Sequence, residues 1–451
     1  MFKRFFYRGY ARTASYKRWI ARRLTPAGQL AMAGVAATML VGFDTTLNVA
    51  YLACVLLVML LLVAVVGSLF LPPRLDVERV LPRFGTVGTT LRYDLHLTNR
   101  SNYSQDGLTL FEDLPDPRPR LRDFLETPEP GEEKRNILDR QFGYYRWQWL
   151  VGEKIIGSVN EAGVARCPPK GRVSVSLELM PLRRGVLRFE GVTCGALDPF
   201  GLFRSLHRRK LPQSLLILPK RYWLPSIALP GTRMYQRGGV ALASSVGESD
   251  EFVSLRDYRP GDPLKHVHWR SWARVGRPIV KEFQDEHFVR HALVLDTFST
   301  LSRQAAFEEA VSVAASFACT LRTQESLLDL MFVGAEAHCF TVGRGLAHTE
   351  QMLEVLAGVK MCPDRPFRTL QELVWQHIGG ISGCILVFIK WDHERIEFVR
   401  QLQALGVPVM VLVVAASSEA RDIDSSQPGP GSVRPHVLEV GKVQEGLAKL
   451  S

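Results

Sequence analysis

The spacing of hydrophobic positions changes twice along this chain. At the start they run together. Ala27–Phe43 is a 17-residue apolar stretch rich in Ala, Gly and Thr, and Val49–Leu71 is a 23-residue stretch without a charge. The second is long enough to cross the ~30 Å of bilayer hydrocarbon, and the first sits at the lower limit. With only Asp44–Asn48 between them, residues 27–71 are expected to form two transmembrane helices in a tight hairpin. A cleaved signal peptide does not fit the first stretch, because the basic region before it is too long and a second apolar segment follows at once.

From Leu75 the period becomes two. Leu91–Leu97 and Val173–Leu179 alternate cleanly between apolar and polar, as half-buried strands do. Shorter strands are expected at Asp76–Val80, Val186–Phe189 and Leu215–Leu218, with Pro/Gly turns between them. Together these predict an all-β sandwich over residues 75–218. Within it, Arg118–Gly131 is rich in Pro and charge and reads as an exposed loop. Phe142–Trp149, with two Tyr, two Trp and a Phe, reads as aromatic strand packing. Residues 219–283 form a linker, irregular over Pro219–Gly247, and then a compact charged segment.

After Phe283 short apolar runs alternate with one-sided helical spacing. Strands are expected at Arg290–Leu295, Leu327–Val333, Cys384–Ile389 and Val407–Val414, and helices at Ala305–Leu321, Thr349–Val359, Thr369–His377 and Ile396–Leu405. Ser417–Pro435 is low in complexity and reads as a flexible segment; His436–Val440 and Val443–Leu450 add a last strand and helix. The alternation predicts a doubly wound α/β domain over 284–451 with a mostly parallel sheet.

Charge alters this picture at one end. Of the formal +11, eight charges lie on Lys3, Arg4, Arg8, Arg12, Lys17, Arg18, Arg22 and Arg23, with no acidic residue before Asp44. The high isoelectric point therefore reports a basic tail over residues 1–26 and excludes a nucleic-acid-binding domain as its cause. Basic residues stay on the cytoplasmic side, and a hairpin returns the chain there; Arg74, Arg79 and Arg83 agree. The expectation is a multi-pass inner-membrane protein with cytoplasmic soluble domains. Seven cysteines without a C-x-x-C pair read as reduced thiols.

Candidate chemistry concentrates in Arg256–Phe283. Pro260-Gly261-Asp262-Pro263 forms a turn, surrounded by Arg256, Asp257, Arg259, Lys265, His266, His268, Arg270, Arg274 and Arg277, with Tyr258, Trp269 and Trp272 supplying aromatic faces. As a clamp, Asp262 pairs with Arg256 or Arg274, or accepts the N–H groups of its own turn, while the Trp faces and Arg side chains weld linker to sheet or meet a partner's carboxylates. A metal reading puts His266 and His268 on one face of a strand with Asp262 nearby. It lacks a third strong ligand, and the surrounding cations oppose it.

This segment resembles the signature of the domain-of-unknown-function 58 family, and Asp198-Pro199-Phe200-Gly201-Leu202-Phe203 fits the turn that closes the family's β-region. That turn reads as buried and aromatic, without chemistry. The C-terminal half resembles a von Willebrand factor A-type domain. Such domains hold Mg²⁺ through D-x-S-x-S, a distant Thr and a later Asp, leaving a position for a partner's carboxylate. Here Asp296 and Thr300 match, Phe298 replaces a hydroxyl ligand, Ser299 is out of register, Asp392 stands for the later Asp, and the distant Thr is not placed, Thr369 being one candidate. The resemblance implies a degenerate site with Mg²⁺ weakened or lost, and no other cofactor.

The expectation from these readings is a non-catalytic, membrane-anchored adaptor or scaffold. The family resemblance implies a MoxR-type AAA+ ATPase and a transglutaminase-like membrane protein as partners. Asp296, Thr300 and Asp392 would form the docking rim, and Arg256, Tyr258, Gly261, Asp262, His268, Trp269 and Arg274 would hold it in shape. A metal-dependent hydrolase using His266 and His268, and an envelope protein with periplasmic soluble domains, are the competing classes.

Overall fold

The computed structural model describes residues 2–41, 48–70, 75–225, 234–236, 252–262, 264–283, 287–320, 326–342, 346–425 and 434–450. The chain forms two compact units, Met1–Pro219 and Lys220–Ser451.

The first unit opens with a helix, Phe2–Arg23, so the basic tail is an ordered element. Its Tyr7, Tyr10, Ala11 and Ala14 lie one to two turns apart on one face and pack against Phe124, Trp147 and Leu150. Two helices follow. Pro26–Val41 begins with proline, whose missing N–H is harmless in the first turn. Thr25 caps this helix, its hydroxyl accepting from the Gly28 N–H at 3.1 Å and donating to the Gly201 carbonyl at 2.6 Å. Asn48–Phe70 carries no charge, and its segment Val49–Ser68 is long and apolar enough to cross a membrane. The first of the pair is shorter than that. Among the described residues, then, one helix of the expected pair has the length to span, and a shorter helix packs on it; a Cβ added at Gly34 would stand 3.1 Å from Leu57 Cδ1.

Two sheets face each other in the rest of this unit. The first has the order Leu75–Val80, Leu91–Asn99, Arg172–Pro181, Gly157–Val159. The second runs Phe84–Thr86, Arg204–Leu218, Gly185–Leu197, Gln105–Asp113, Ala162–Cys167. Their inner faces share one core: Tyr93, Leu95, Leu97, Leu177 and Leu179 from the first, Leu108, Leu110, Val192, Cys194, Leu215 and Ile217 from the second. Period-two spacing puts those side chains on one face of each strand.

Two expectations fail here. Arg118–Gly131 contains the helix Leu121–Glu126, with Phe124 fully buried, and the aromatic run belongs to the helix Tyr144–Lys154. Both are held by Arg146, which pairs with Glu132 and donates to the Phe124 carbonyl. The packed face of the N-terminal helix rests on this cluster. Arg79, read as a membrane-flanking cation, is instead fully buried and paired with Glu112 at 2.7 Å.

In the second unit the sheet order is Ala337–Val342, Ser326–Val333, His287–Leu295, Gly383–Phe388, Val409–Ala415, His436–Glu439. All neighbours are parallel except the antiparallel edge strand Ala337–Val342. Met234–Gln236 also pairs with the central strand His287–Leu295, antiparallel. One face is covered by Gln304–Thr320, whose inner positions are almost all buried. The other is covered by Arg368–His377 and His393–Ala404, packing Leu370, Val374, Phe398 and Leu402 on Val294, Leu386, Phe388 and Val413. Ser417–Ser425, read as flexible, is a helix; residues 426–433 of that segment lie outside the described residues.

The described cysteines form no disulfide, and burial pushes the Cys194 and Cys384 thiols up to about 12, away from thiolate chemistry.

Candidate functional site

The central strand of the second unit ends at Asp296, where an open α/β sheet places its ligands. Asp296 is fully buried, and its backbone N–H reaches the Val387 carbonyl of the neighbouring strand at 2.9 Å. Across from it, Asp392 caps the helix His393–Ala404 by accepting from the Arg395 N–H. The two carboxylates predicted from sequence are therefore brought together. What joins them is a side chain that sequence reading missed.

Arg395 is completely buried between them. Its Nε and Nη2 donate to Asp296 at 3.0 and 3.2 Å, and its Nη1 donates to both Asp392 oxygens at 3.2 and 2.9 Å. The guanidinium lies 4.1 Å from the centre of the Phe367 ring, and Phe298 meets Phe367 edge to face at 5.8 Å. Burial raises the Asp296 carboxyl, while Arg395 and the Phe298 and Ile389 N–H groups pull it down. Burial also works to raise Asp392, but Lys390 and Arg395 outweigh it and hold that carboxyl below its ordinary value.

These residues do not fit a divalent cation. A guanidinium fills the space between the two carboxylates, and a buried phenyl ring stands where a hydroxyl ligand is needed. Thr300 is exposed and bonds to Ser302, and Ser299 is turned inward. Thr369 lies in the first turn of Arg368–His377; the residue of that region that reaches the pair is Phe367. The docking rim is corrected too: Asp296 has no exposed surface to offer a partner, whereas Thr300 and part of Asp392 do. The one local sequence hint of Arg395 was its spacing three residues after a helix cap.

The charged segment forms a separate small structure. Phe252–Asp257 pairs antiparallel with Ile279–Phe283, and between them lie the turn at Gly261, a short 3-10 turn Leu264–His266 and the helix Trp269–Val275. Pro263 lies outside the described residues. Of the three sequence options for Asp262 the structure takes two: Arg256 grips it through two bonds of 2.7 and 2.8 Å, and the Arg259 N–H of its own turn adds a third at 2.8 Å. These partners, Arg256 foremost, hold the Asp262 carboxyl down at about 2. Gly261 takes φ +107, a conformation closed to most side chains.

His266 and His268 do not share a strand face. His266 ends the 3-10 turn and is buried, while His268 starts the following helix with Nδ1 2.6 Å from the Ser271 hydroxyl. Among the described residues no group of three or more His, Cys, Asp or Glu is placed to hold a metal. Trp269 and Trp272 stack at 5.2 Å. Trp269 is 62 % exposed and Leu264 69 %, and Arg270 and Arg274 are exposed on the same short helix. Tyr258 joins the clamp through its backbone N–H, which reaches the Pro278 carbonyl.

Fold and site together define a mixed α/β protein with a long apolar helix, Asn48–Phe70, a filled carboxylate pair and an exposed aromatic–basic segment. Residues 254–373 match the family described as protein of unknown function DUF58, a match that starts within the charged segment and supports the resemblance drawn from it. The uncharacterized protein YeaD of Bacillus subtilis (strain 168) is 28 % identical over 190 residues, covering 42 % of this chain and 46 % of that protein. The alignment thus spans just under half of that relative. Solved structures give only weak likeness. The CARDB domain of the PF1109 protein of Pyrococcus furiosus, in complex with di-metal ions, has a TM-score of 0.18 at 10 % identity, over 32 % of this chain and 93 % of that one. The native conformation of E. coli alpha-2-macroglobulin has a TM-score of 0.19 at 13 % identity, over 40 % of this chain and 9 % of that one.

Proposed function

We propose that this protein is a non-catalytic, membrane-anchored adaptor of the DUF58 type that docks a protein partner on its signature segment. The observation that carries this reading is the exposed apolar set Leu264 and Trp269, flanked by Arg270 and Arg274 and braced by the Arg256–Asp262 fork. Trp and Arg dominate the energetics of protein interfaces, and rigid mounting lowers the cost of ordering them. The partner that fits is an apolar pocket with an acidic rim. The DUF58 resemblance names the class, a MoxR-type AAA+ ATPase, with a transglutaminase-like membrane protein in the same assembly.

The sheet order and its antiparallel edge strand Ala337–Val342 support reading the second unit as a von Willebrand factor A-type domain whose metal position has been taken over by Arg395. A two-helix membrane hairpin is supported by a contact within the first unit. The helix before the apolar pair packs on the domain after it, through Tyr7 on Trp147 and Arg22 on Asp113. A single crossing would separate those partners by a bilayer. If Val49–Ser68 crosses, Pro26–Val41 crosses the other way, and the basic helix places both ends in the cytoplasm.

The test is in-cell photo-crosslinking from a reactive residue at position 270, read by mass spectrometry, in wild type and Trp269→Ala. An AAA+ ATPase adduct that disappears with Trp269→Ala is expected. An adduct undiminished by Trp269→Ala overturns the docking surface, and a wild type without any ATPase adduct overturns the partner.

A further inference from the structure

The N-terminal helix has a second face. Phe2, Phe5, Tyr16 and Trp19 are 75, 73, 57 and 46 % exposed. Eleven residues are about three helical turns, so the pair Phe2 and Phe5 and the pair Tyr16 and Trp19 fall on one side. That side is opposite Tyr7, Tyr10, Ala11 and Ala14, which are used up on the protein. Arg12 and Arg23 lie on the same side as the exposed rings. The whole helix carries eight basic residues and no acidic one, and Arg4, Arg8, Arg12 and Lys17 pair with no carboxylate among the described residues.

The position of this face relative to the apolar helices is fixed by one turn. Asp198 closes that turn by accepting the Phe200, Leu202 and Phe203 N–H groups. Phe203 stacks edge to face on Trp19 at 6.2 Å and is bridged to Leu24. Leu202 and Phe203 share a core with Leu24, Leu60, Leu61 and Ala64, and Pro199 stands against Gly67. The C-terminal end of the basic helix, the start of the short apolar helix and the end of the long one therefore meet at the same turn. Phe200 on it remains 53 % exposed.

We propose that the Phe2–Phe5–Tyr16–Trp19 face is a binding surface for anionic phospholipid, with the rings at headgroup depth and Arg4, Arg8, Arg12 and Lys17 on the phosphates. Aromatic rings and cations are the residues a bilayer interface selects, and an anionic leaflet draws basic residues held at its surface. The charge matches a lipid surface, and the level matches because the same turn fixes where the apolar helices enter the soluble unit. The proposal rests on reading Val49–Ser68 as a span.

The full chain is reconstituted in nanodiscs of phosphatidylcholine containing a fixed minor fraction of acyl-brominated lipid, either phosphatidylcholine or phosphatidylglycerol. The fluorescence difference between wild type and Trp19→Phe isolates Trp19 from the other seven tryptophans. Trp19 is expected to be quenched, more strongly by brominated phosphatidylglycerol. That excess is expected to vanish with Arg4→Gln/Arg8→Gln/Arg12→Gln and in 1 M salt, where the screening length falls to about 3 Å. Equal quenching by the two lipids overturns the anionic preference. An unquenched Trp19 in incorporated protein overturns the surface altogether and leaves the face to an acidic protein. Failure to incorporate would overturn the span itself.

Discussion

Arg395→Met tests the claim that a guanidinium is the internal cation of the second unit. The substitution keeps an unbranched side chain against Phe367 but removes every bond to Asp296 and Asp392. Asp392 is one-third exposed and keeps Lys390 at 2.8 Å. Asp296 is fully buried and keeps only backbone N–H donors. Breaking a buried pair from one side costs about 3–5 kcal/mol, because the remaining charge has no compensation. For a unit of this size, that lowers the melting temperature by roughly 6–20 °C. Asp296→Asn/Arg395→Met removes both charges and is expected to melt above Arg395→Met alone, since paired replacement of a buried ion pair is close to neutral. The pH dependence has a definite sign. With Arg395 gone, burial still raises the folded Asp296 carboxyl above its unfolded value of 3.8. Stability is then complete below the unfolded value and lost as pH rises through the folded one, so the deficit shrinks toward acid pH. Thermal unfolding of the purified full chain by circular dichroism, at several pH values, reads all three. A loss under about 2 °C for Arg395→Met, or a double variant no better than the single, would refute the reasoning.

Two further outcomes follow from local geometry. The Asp262 carboxyl is expected to titrate at about 2, and Arg256→Gln should return it toward 3.8, measured by carboxyl carbon NMR; because the folded value is depressed, the stabilising contribution of this fork is present above 3.8 and lost as pH falls through about 2. A Cβ at Gly28 would stand 2.1 Å from the Leu202 carbonyl oxygen, backbone against backbone, whereas one at Gly34 meets only a leucine methyl at 3.1 Å. Gly28→Ala is therefore expected to cost about 1–3 kcal/mol of overpacking and Gly34→Ala much less, compared by thermal melts.

Local spacing was enough to expose the strands at Leu91–Asn99 and Arg172–Pro181 and the helices at Gln304–Thr320 and Arg368–His377, because each has a neighbour that demands one buried face. It failed at Leu121–Glu126 and Tyr144–Lys154. Proline, charge and clustered rings disguise those helices, and only Arg146, Glu132 and the packed face of Phe2–Arg23 account for them. The antiparallel edge strand Ala337–Val342 also went unread, since an exposed edge carries little hydrophobic signal.

The sequence by itself determined the apolar pair, the period-two and strand–helix halves, the charge confined to the tail, and the signature with Arg256 and Asp262 close enough to pair. The tertiary structure alone decided that Asp296 is sealed, because Arg395 stands 99 residues away along the chain and meets it only once the central strand and its covering helix pack. It also decided that Arg79 is a core ion pair and that the basic tail is a helix with one face spent and one face free. Both turn on which charges lose their water. Burial is a property of surfaces brought together across the fold, and no local window of residues contains it.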